Sequence, residues 1–215
     1  MRVRQFRLNE IAVEDDKDYV FSEFTSVLAA PGREKEVWMA LLGALTKSDY
    51  AWDELIVNYA LASAEPMLSS LGLRVHRRVD KGSGFVDLGA LRRAGVSDVA
   101  GYVATLGKAT RAALSRSMRL YAERGPLTLA RAADAAEAQD WFAEIVRLQT
   151  AKWRDRGGRG LADRRMSRDF HERLIANAFP LGAVELLRVS AGAEAFAWLC
   201  NFVDRGRVLC IVAGL

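Results

Sequence analysis

Few side chains in this chain are able to do acid–base work. His171, in the run Phe170-His171-Glu172-Arg173-Leu174, carries an imidazole whose ordinary pKa lies near neutrality. It is therefore a candidate general base for taking a proton from an attacking amine. Phe170, Leu174 and Ile175 turn the same stretch toward a core, which equally fits a packed or capping histidine. Glu23, late in one strand-like run, and Asp53 and Glu54, opening another, are carboxylates placed to receive a proton from an ammonium group, or simply surface charges at strand ends. Asn201 is a candidate for orienting an acceptor. Side chains alternate along a strand, so Trp198 shares a face with Cys200 while Asn201 looks the other way.

Anion recognition has its own candidates. Lys108, Arg111, Arg116 and Arg119 fall within one helical stretch and can meet phosphate or carboxylate oxygens, or form a solvated basic face. Trp153 and Arg156 precede the glycines of Arg156–Gly160, where a tryptophan beside a mobile loop can wall a substrate pocket. Metal chemistry is not indicated. The two cysteines, Cys200 and Cys210, lie in apolar strand-like runs, and the two histidines, His76 and His171, are far apart in sequence. Both cysteines read as small core residues of a protein in a reducing compartment.

The elements that must position these residues come from periodicity and turn chemistry. Residues 18–24, 52–59, 73–79 and 85–88 read as strands in the first part of the chain, with helices after Pro31 and over 63–71, the latter stopped by Gly72. Ser97 is expected to cap a helix, and a basic helix runs from Lys108 to Glu123. A strand over 127–132 then leads to a long helix from about Ala135 to Asp155, a glycine loop, and a helix from about Ser167 to Phe179. Turn residues at 191–193 and 204–206 divide the remainder into a three-stranded meander. The expected architecture is α/β or α+β.

Composition is that of a globular chain: 215 residues, 51% hydrophobic and 27% charged, with a formal net charge of +4. That excess suits a few donors for an anionic small molecule better than a nucleic-acid footprint, since no aromatic platform interleaves the charges. No signal-like segment or membrane-length apolar run is visible, so the expectation is a soluble, cytoplasmic protein.

Several segments together resemble the GNAT superfamily of N-acyltransferases, and within it CelD-like, FemAB-related proteins. They are FVDL, LGKATRAALSRSMRLYAERGPLTLARA, WFAEIVRLQTAKWRDRGGRG, FHERL and the closing VAGL, spanning residues 84–215. The family pattern has a basic helix, a helix end with tryptophan before a glycine loop, an F-H-x-x-L helix and a strand ending in A-G. Departures are Gln149 at the family histidine, and Leu209, Cys210 and Ile211 where aromatic residues are common.

The resemblance implies a mixed, mostly antiparallel sheet flanked by helices. It implies an acyltransferase with acetyl-CoA or another acyl-CoA as co-substrate, no metal, and a small-molecule amine as acceptor. The thioester would meet the backbone of Ile211, Val212 and Ala213, with Arg111 on CoA phosphates. Trp153, Arg156 and Trp198 would line the acceptor site, and His171, Glu23 or Asn201 would serve catalysis. It also implies that residues 1–88 form the second half of one GNAT-like unit and 89–215 the first half of the next. The phosphate-cradling loop and helix that come after the last strand in the family would then fall beyond Leu215, leaving sheet edges open to homo-oligomer pairing. In the first half LAAPGREKEV takes the loop's place, with one glycine. A tRNA-dependent aminoacyl transferase of the FemAB kind, and a non-catalytic interaction unit, are the alternative readings.

Overall fold

Glu34 and Glu36 open a helical run that ends on Lys47, a distribution that complements the helix dipole, and this run forms α1 (Glu34–Lys47). The computed structural model describes residues 3–8, 26–49, 51–57, 60, 64–76, 82 and 84–214, and it divides into two compact units, Met1–Lys81 and Gly82–Leu215. In the first unit α1 bridges β1 (Gln5–Leu8) and β2 (Glu54–Val57), which pair in parallel, as a helical crossover between two strands allows. Arg4 fastens the start of this pair. Its backbone N–H donates to Asp53 at 2.9 Å, and its guanidinium grips the same carboxylate at 3.1 Å. A short helix, α2 (Ala64–Ser69), completes the unit, and Trp38 and Leu45 of α1 are its buried side chains among the described residues.

Some expectations for this region need correction. Pro31 lies in the turn before α1 and not in its first turn. Residues 73–76 are not in a strand, while 77–79 and the expected strand over 18–24 lie outside the described residues.

The second unit begins with three helices. FVDL is not a strand: the Asp87 carboxylate accepts from Ala90 N at 2.7 Å, which starts α3 (Leu88–Arg93). Asp98, not Ser97, caps α4 (Val99–Thr105), accepting from Gly101 N at 2.7 Å. The basic helix is α5 (Lys108–Ala122), with no buried residue of its own. Its Tyr121 ring stacks on Phe196 at 4.0 Å.

The core is built by the remaining strands and helices of this unit. β3 (Leu127–Arg131), β4 (Val184–Ala191), β5 (Glu194–Asp204) and β6 (Arg207–Gly214) form an antiparallel sheet in that order. Between β3 and β4 come α6 (Ala135–Arg154), capped by Asp134, and α7 (Arg165–Ala178). Alternate sheet residues Val184, Leu186, Trp198, Cys200 and Val212 pack with Trp141, Phe142, Ile145 and Ile175 of the two helices, so both helices cover one face. The approach is tightest at Gly214, where a Cβ would lie 2.9 Å from the Cα of Ile145. A parallel pair in the first unit and an antiparallel sheet in the second make the mixed, mostly antiparallel α/β architecture that the sequence implies. Among the described residues no helix is long and apolar enough to cross a membrane.

Candidate functional site

The last strand is where the backbone itself offers chemistry. β6 pairs only with β5 among the described residues, so its outer side is an edge. Its register with β5 slips by one residue: Asn201 faces Cys210, whereas Cys200 faces Val212. Ile211 is the extra residue and has no partner across the ladder. A bulge of this kind bends the strand and disrupts the ladder at the extra residue. Ile211 and Val212 both pack toward the helix-covered core, which fixes the backbone between them.

Asn201 is on the opposite face, as alternation requires, and is 5% exposed. Its amide donates to Glu185 Oε1 on β4 at 3.1 Å, and Arg131 of β3 holds Glu185 Oε2 at 2.9 Å. Glu185, Asn201 and Cys210 occupy one row across β4, β5 and β6, with the bulge beside it. Sequence reasoning did not single out Glu185. Hairpin turns counted alone pair it with Cys200, and a second bulge between Val189 and Ser190 moves it opposite Asn201. Trp198, 7% exposed, lies on the helix side, opposite Gly214 of β6.

Trp153 ends α6 and is 43% exposed. The glycine loop after it is tied to α6 at several points. Trp153 O accepts from Gly158 N at 2.8 Å, Thr150 Oγ1 accepts from Ala162 N at 3.0 Å, and Asp163 binds both Arg154, at 2.6 Å, and Gly160 N, at 3.1 Å. The Arg154 hydrogen bond is also the main reason the Asp163 carboxyl is held below its usual range. At Gly160 a Cβ would sit 2.2 Å from the Cα of Thr150, so this loop can close onto α6 only with glycine there. Arg156 is exposed in the same loop.

Other predicted residues have different surroundings. His171 is 8% exposed, its Nδ1–H donating to Ser167 O at 2.6 Å and its ring between Phe142 and Phe170. Burial pushes its pKa down, against the opposing pull of the Ser167 carbonyl. Arg111 donates to the carbonyls of Ala104, at 3.2 Å, and Leu106, closing the corner between α4 and α5. Glu23 lies outside the described residues. In the first unit the LAAPGREKEV segment leads into α1, whose first turn carries Glu34 and Glu36, charges that disfavour a phosphate there. Cys200 is the core residue expected, and burial pushes its thiol up to about 12; Cys210 is not, because it lies on the row with Asn201, away from the helices, and is exposed on β6. Among the described residues no group of three His, Cys, Asp or Glu side chains could hold a metal ion. A groove of about 430 Å³ between α3 and α4, lined by Phe85, Leu91 and Tyr102 among others, contains none of the predicted residues.

Compared with known protein families, residues 108–215 match the model described as an acetyltransferase (GNAT) domain. No curated protein and no solved structure matches the chain.

Proposed function

Because the chain belongs to the acetyltransferase (GNAT) domain family, we propose that it transfers an acyl group from acyl-CoA, acetyl-CoA in the first instance, to the amine of a small-molecule acceptor. The observation that carries this reading is the bulge at Ile211 on an edge strand. A thioester carbonyl needs hydrogen-bond donors fixed where negative charge develops, and a peptide N–H released from its ladder supplies one without reorganisation. Acyl-CoA would supply the activated carbonyl, held by the backbone of Ile211, Val212 and Ala213. On the other face Glu185, committed to Arg131 and Asn201, fixes the Asn201 amide in one orientation. Trp153 and Arg156, beside the anchored loop, form the acceptor wall. His171 is read as a packing residue, since it is buried, with its ring against Phe142 and Phe170. Arg111 is read as holding its own helix corner.

The finer parts of the reading are a CelD-like, FemAB-related specificity, a cytoplasmic location, two half-units divided at residues 88 and 89, and pairing of copies through open sheet edges. The order of the segments from FVDL to VAGL supports the first, and the edge position of β6 the last.

The test is direct. Acetyl-CoA is titrated into the protein by calorimetry, and release of the CoA thiol is followed with a panel of amines. Ile211→Pro removes the N–H at a position where an edge bulge tolerates proline, and Ile211→Val is the control. Acyl transfer is expected to fall by about 10²–10³ in the proline variant, the usual effect of losing one such donor, with acetyl-CoA still bound. Equal rates in the two variants would remove Ile211 from the mechanism, and no acetyl-CoA binding would remove the transferase reading.

A further inference from the structure

Positive charge is concentrated where α6 ends and α7 begins. Six arginines and Lys152 lie between residues 152 and 169, against Asp155, Asp163 and Asp169. That excess equals the formal net charge of +4 for the whole chain, so over all the rest, the basic helix α5 included, charges cancel. Asp163 draws part of the cluster together: its carboxylate takes Arg154 at 2.6 Å, and its carbonyl takes Arg159 at 2.7 Å. Asp169 meets Arg165 and Arg168 at 3.6 and 3.5 Å. Lys152 and Arg156 are exposed, and neither the ammonium nor the guanidinium has a partner among the described residues.

Trp153 lies beside them with its ring exposed. Gly158 folds against that ring, where a Cβ would lie 3.2 Å from Cε3, so glycine keeps a side chain off the indole. With Gly160 seated against Thr150, the loop holds these groups in place before any ligand arrives. A phosphate monoester brings roughly two negative charges and three acceptor oxygens to such a corner, and a guanidinium fork matches those oxygens. The indole face takes a flat or apolar group attached to it. A nucleic acid needs cations continued along a track, and outside this corner the charges cancel. The corner therefore fits one small anion.

The helix α6 sets its distance from the last strand. Leu148 side-chain atoms lie 3.3 and 3.4 Å from where a Cβ of Gly214 would be. Trp153 comes five residues later, about 8 Å along the helix axis. We propose that the acyl acceptor is an amine that also carries a phosphate. Arg156 and Lys152 hold the phosphate, Trp153 takes the middle of the molecule, and the amine reaches the backbone of Ile211, Val212 and Ala213. The phosphate corner stands on the charges and the exposed ring alone. That its occupant is the acyl acceptor rests on the transferase reading.

Calorimetry of the full chain with phenyl phosphate, and with phenol as the uncharged control, tests the corner. The wild type is expected to bind phenyl phosphate more tightly than phenol, equally with and without saturating acetyl-CoA. Arg156→Gln and Trp153→Leu alter two exposed side chains independently, and each should weaken binding about tenfold. Acetyl transfer to 4-(aminomethyl)phenyl phosphate should exceed that to 4-(aminomethyl)phenol about tenfold in kcat/KM, and Arg156→Gln should erase the preference. The proposal is overturned if phenyl phosphate binds no better than phenol, or if both variants bind it as the wild type does. Competition by acetyl-CoA would assign the corner to the donor's own phosphates and equally overturn it. So would a single-stranded RNA still held at about 0.3 M sodium chloride, where a lone corner of charge is screened. Acetyl transfer without preference between the two amines would discard the phosphate-bearing acceptor and leave the transferase reading standing. Phenyl phosphate binding without acetyl-CoA binding would discard the transferase reading and leave the corner standing.

Discussion

His171 shows how burial changes what a residue can do. Its imidazole is pressed between two phenylalanine rings and donates from Nδ1 to the carbonyl one turn earlier. Burial disfavours the charged ring and lowers its pKa. An unfolded chain holds the same imidazole near its ordinary value of about 6.5. Between the two values the unfolded state binds more protons, so stability falls as pH drops below the unfolded value and levels off once the folded value is passed. Wild-type protein should therefore be less stable in urea at pH 5.5 than at pH 7.5, and His171→Phe should flatten that difference. An unchanged pH dependence in the variant would contradict the assignment. The carboxyls of Asp53 and Asp163, held low chiefly by arginine hydrogen bonds, lose their contribution only as pH falls below the ordinary carboxyl value of 3.8, so they do not confuse this window. At this scale the sequence told that Asn201 and Trp198 face opposite ways, because alternation needs no tertiary knowledge. It did not tell that Glu185 and Arg188 are their partners. Each pairing depends on a one-residue bulge at Phe196, and such a slip exchanges the faces of every residue beyond it.

Elements were legible where a local signal acts alone. The long helix α6, the helix α7 and the two hairpin turns of the meander come from periodicity and turn residues. Errors arose where two signals compete. Asp98 outbids Ser97 as a cap, and Asp87 converts an apolar strand-like run into a helix start. The A-G ending of β6 is part of the family resemblance, and its physical reason is α6. At Gly214 the nearest obstacle to a Cβ is Ile145 Cα at 2.9 Å, with Leu148 side-chain atoms at 3.3 and 3.4 Å. A backbone atom cannot rotate away, so helix and strand would have to separate along the seam that fixes the bulge. Gly214→Ala should cost about 1–3 kcal/mol, the usual range for overpacking. Gly43, inside α1 with nothing within 4 Å of its virtual Cβ, is the contrasting case. Gly43→Ala should stabilise by about 0.5–1 kcal/mol through helix propensity. Urea denaturation of the two variants checks both signs, and a neutral Gly214→Ala would mean that α6 does not sit on the strand as described.

Across the whole molecule the buried apolar side chains are unevenly shared. Among the described residues the first unit buries Trp38 and Leu45, whereas the second buries a connected cluster running from Ala132 to Val212. The family match falls wholly within the second unit. Composition told that the chain could bury a core, but not where, because a core is a property of which faces meet. Stability that rests on separate cores is lost in separate steps, and such a chain departs from two-state behaviour. Calorimetry should therefore resolve two transitions, with the second unit unfolding at the higher temperature. Limited trypsin digestion below that temperature should leave a resistant fragment beginning close to Gly82. Ile145, fully buried among α6, α7 and the sheet, locates the higher transition. Ile145→Ala should destabilise that step by about 2–5 kcal/mol, as loss of a buried branched side chain does, and leave the lower step in place. A single transition that shifts as one body in this variant would show that the two units unfold together, and the cores would then have to be read as one.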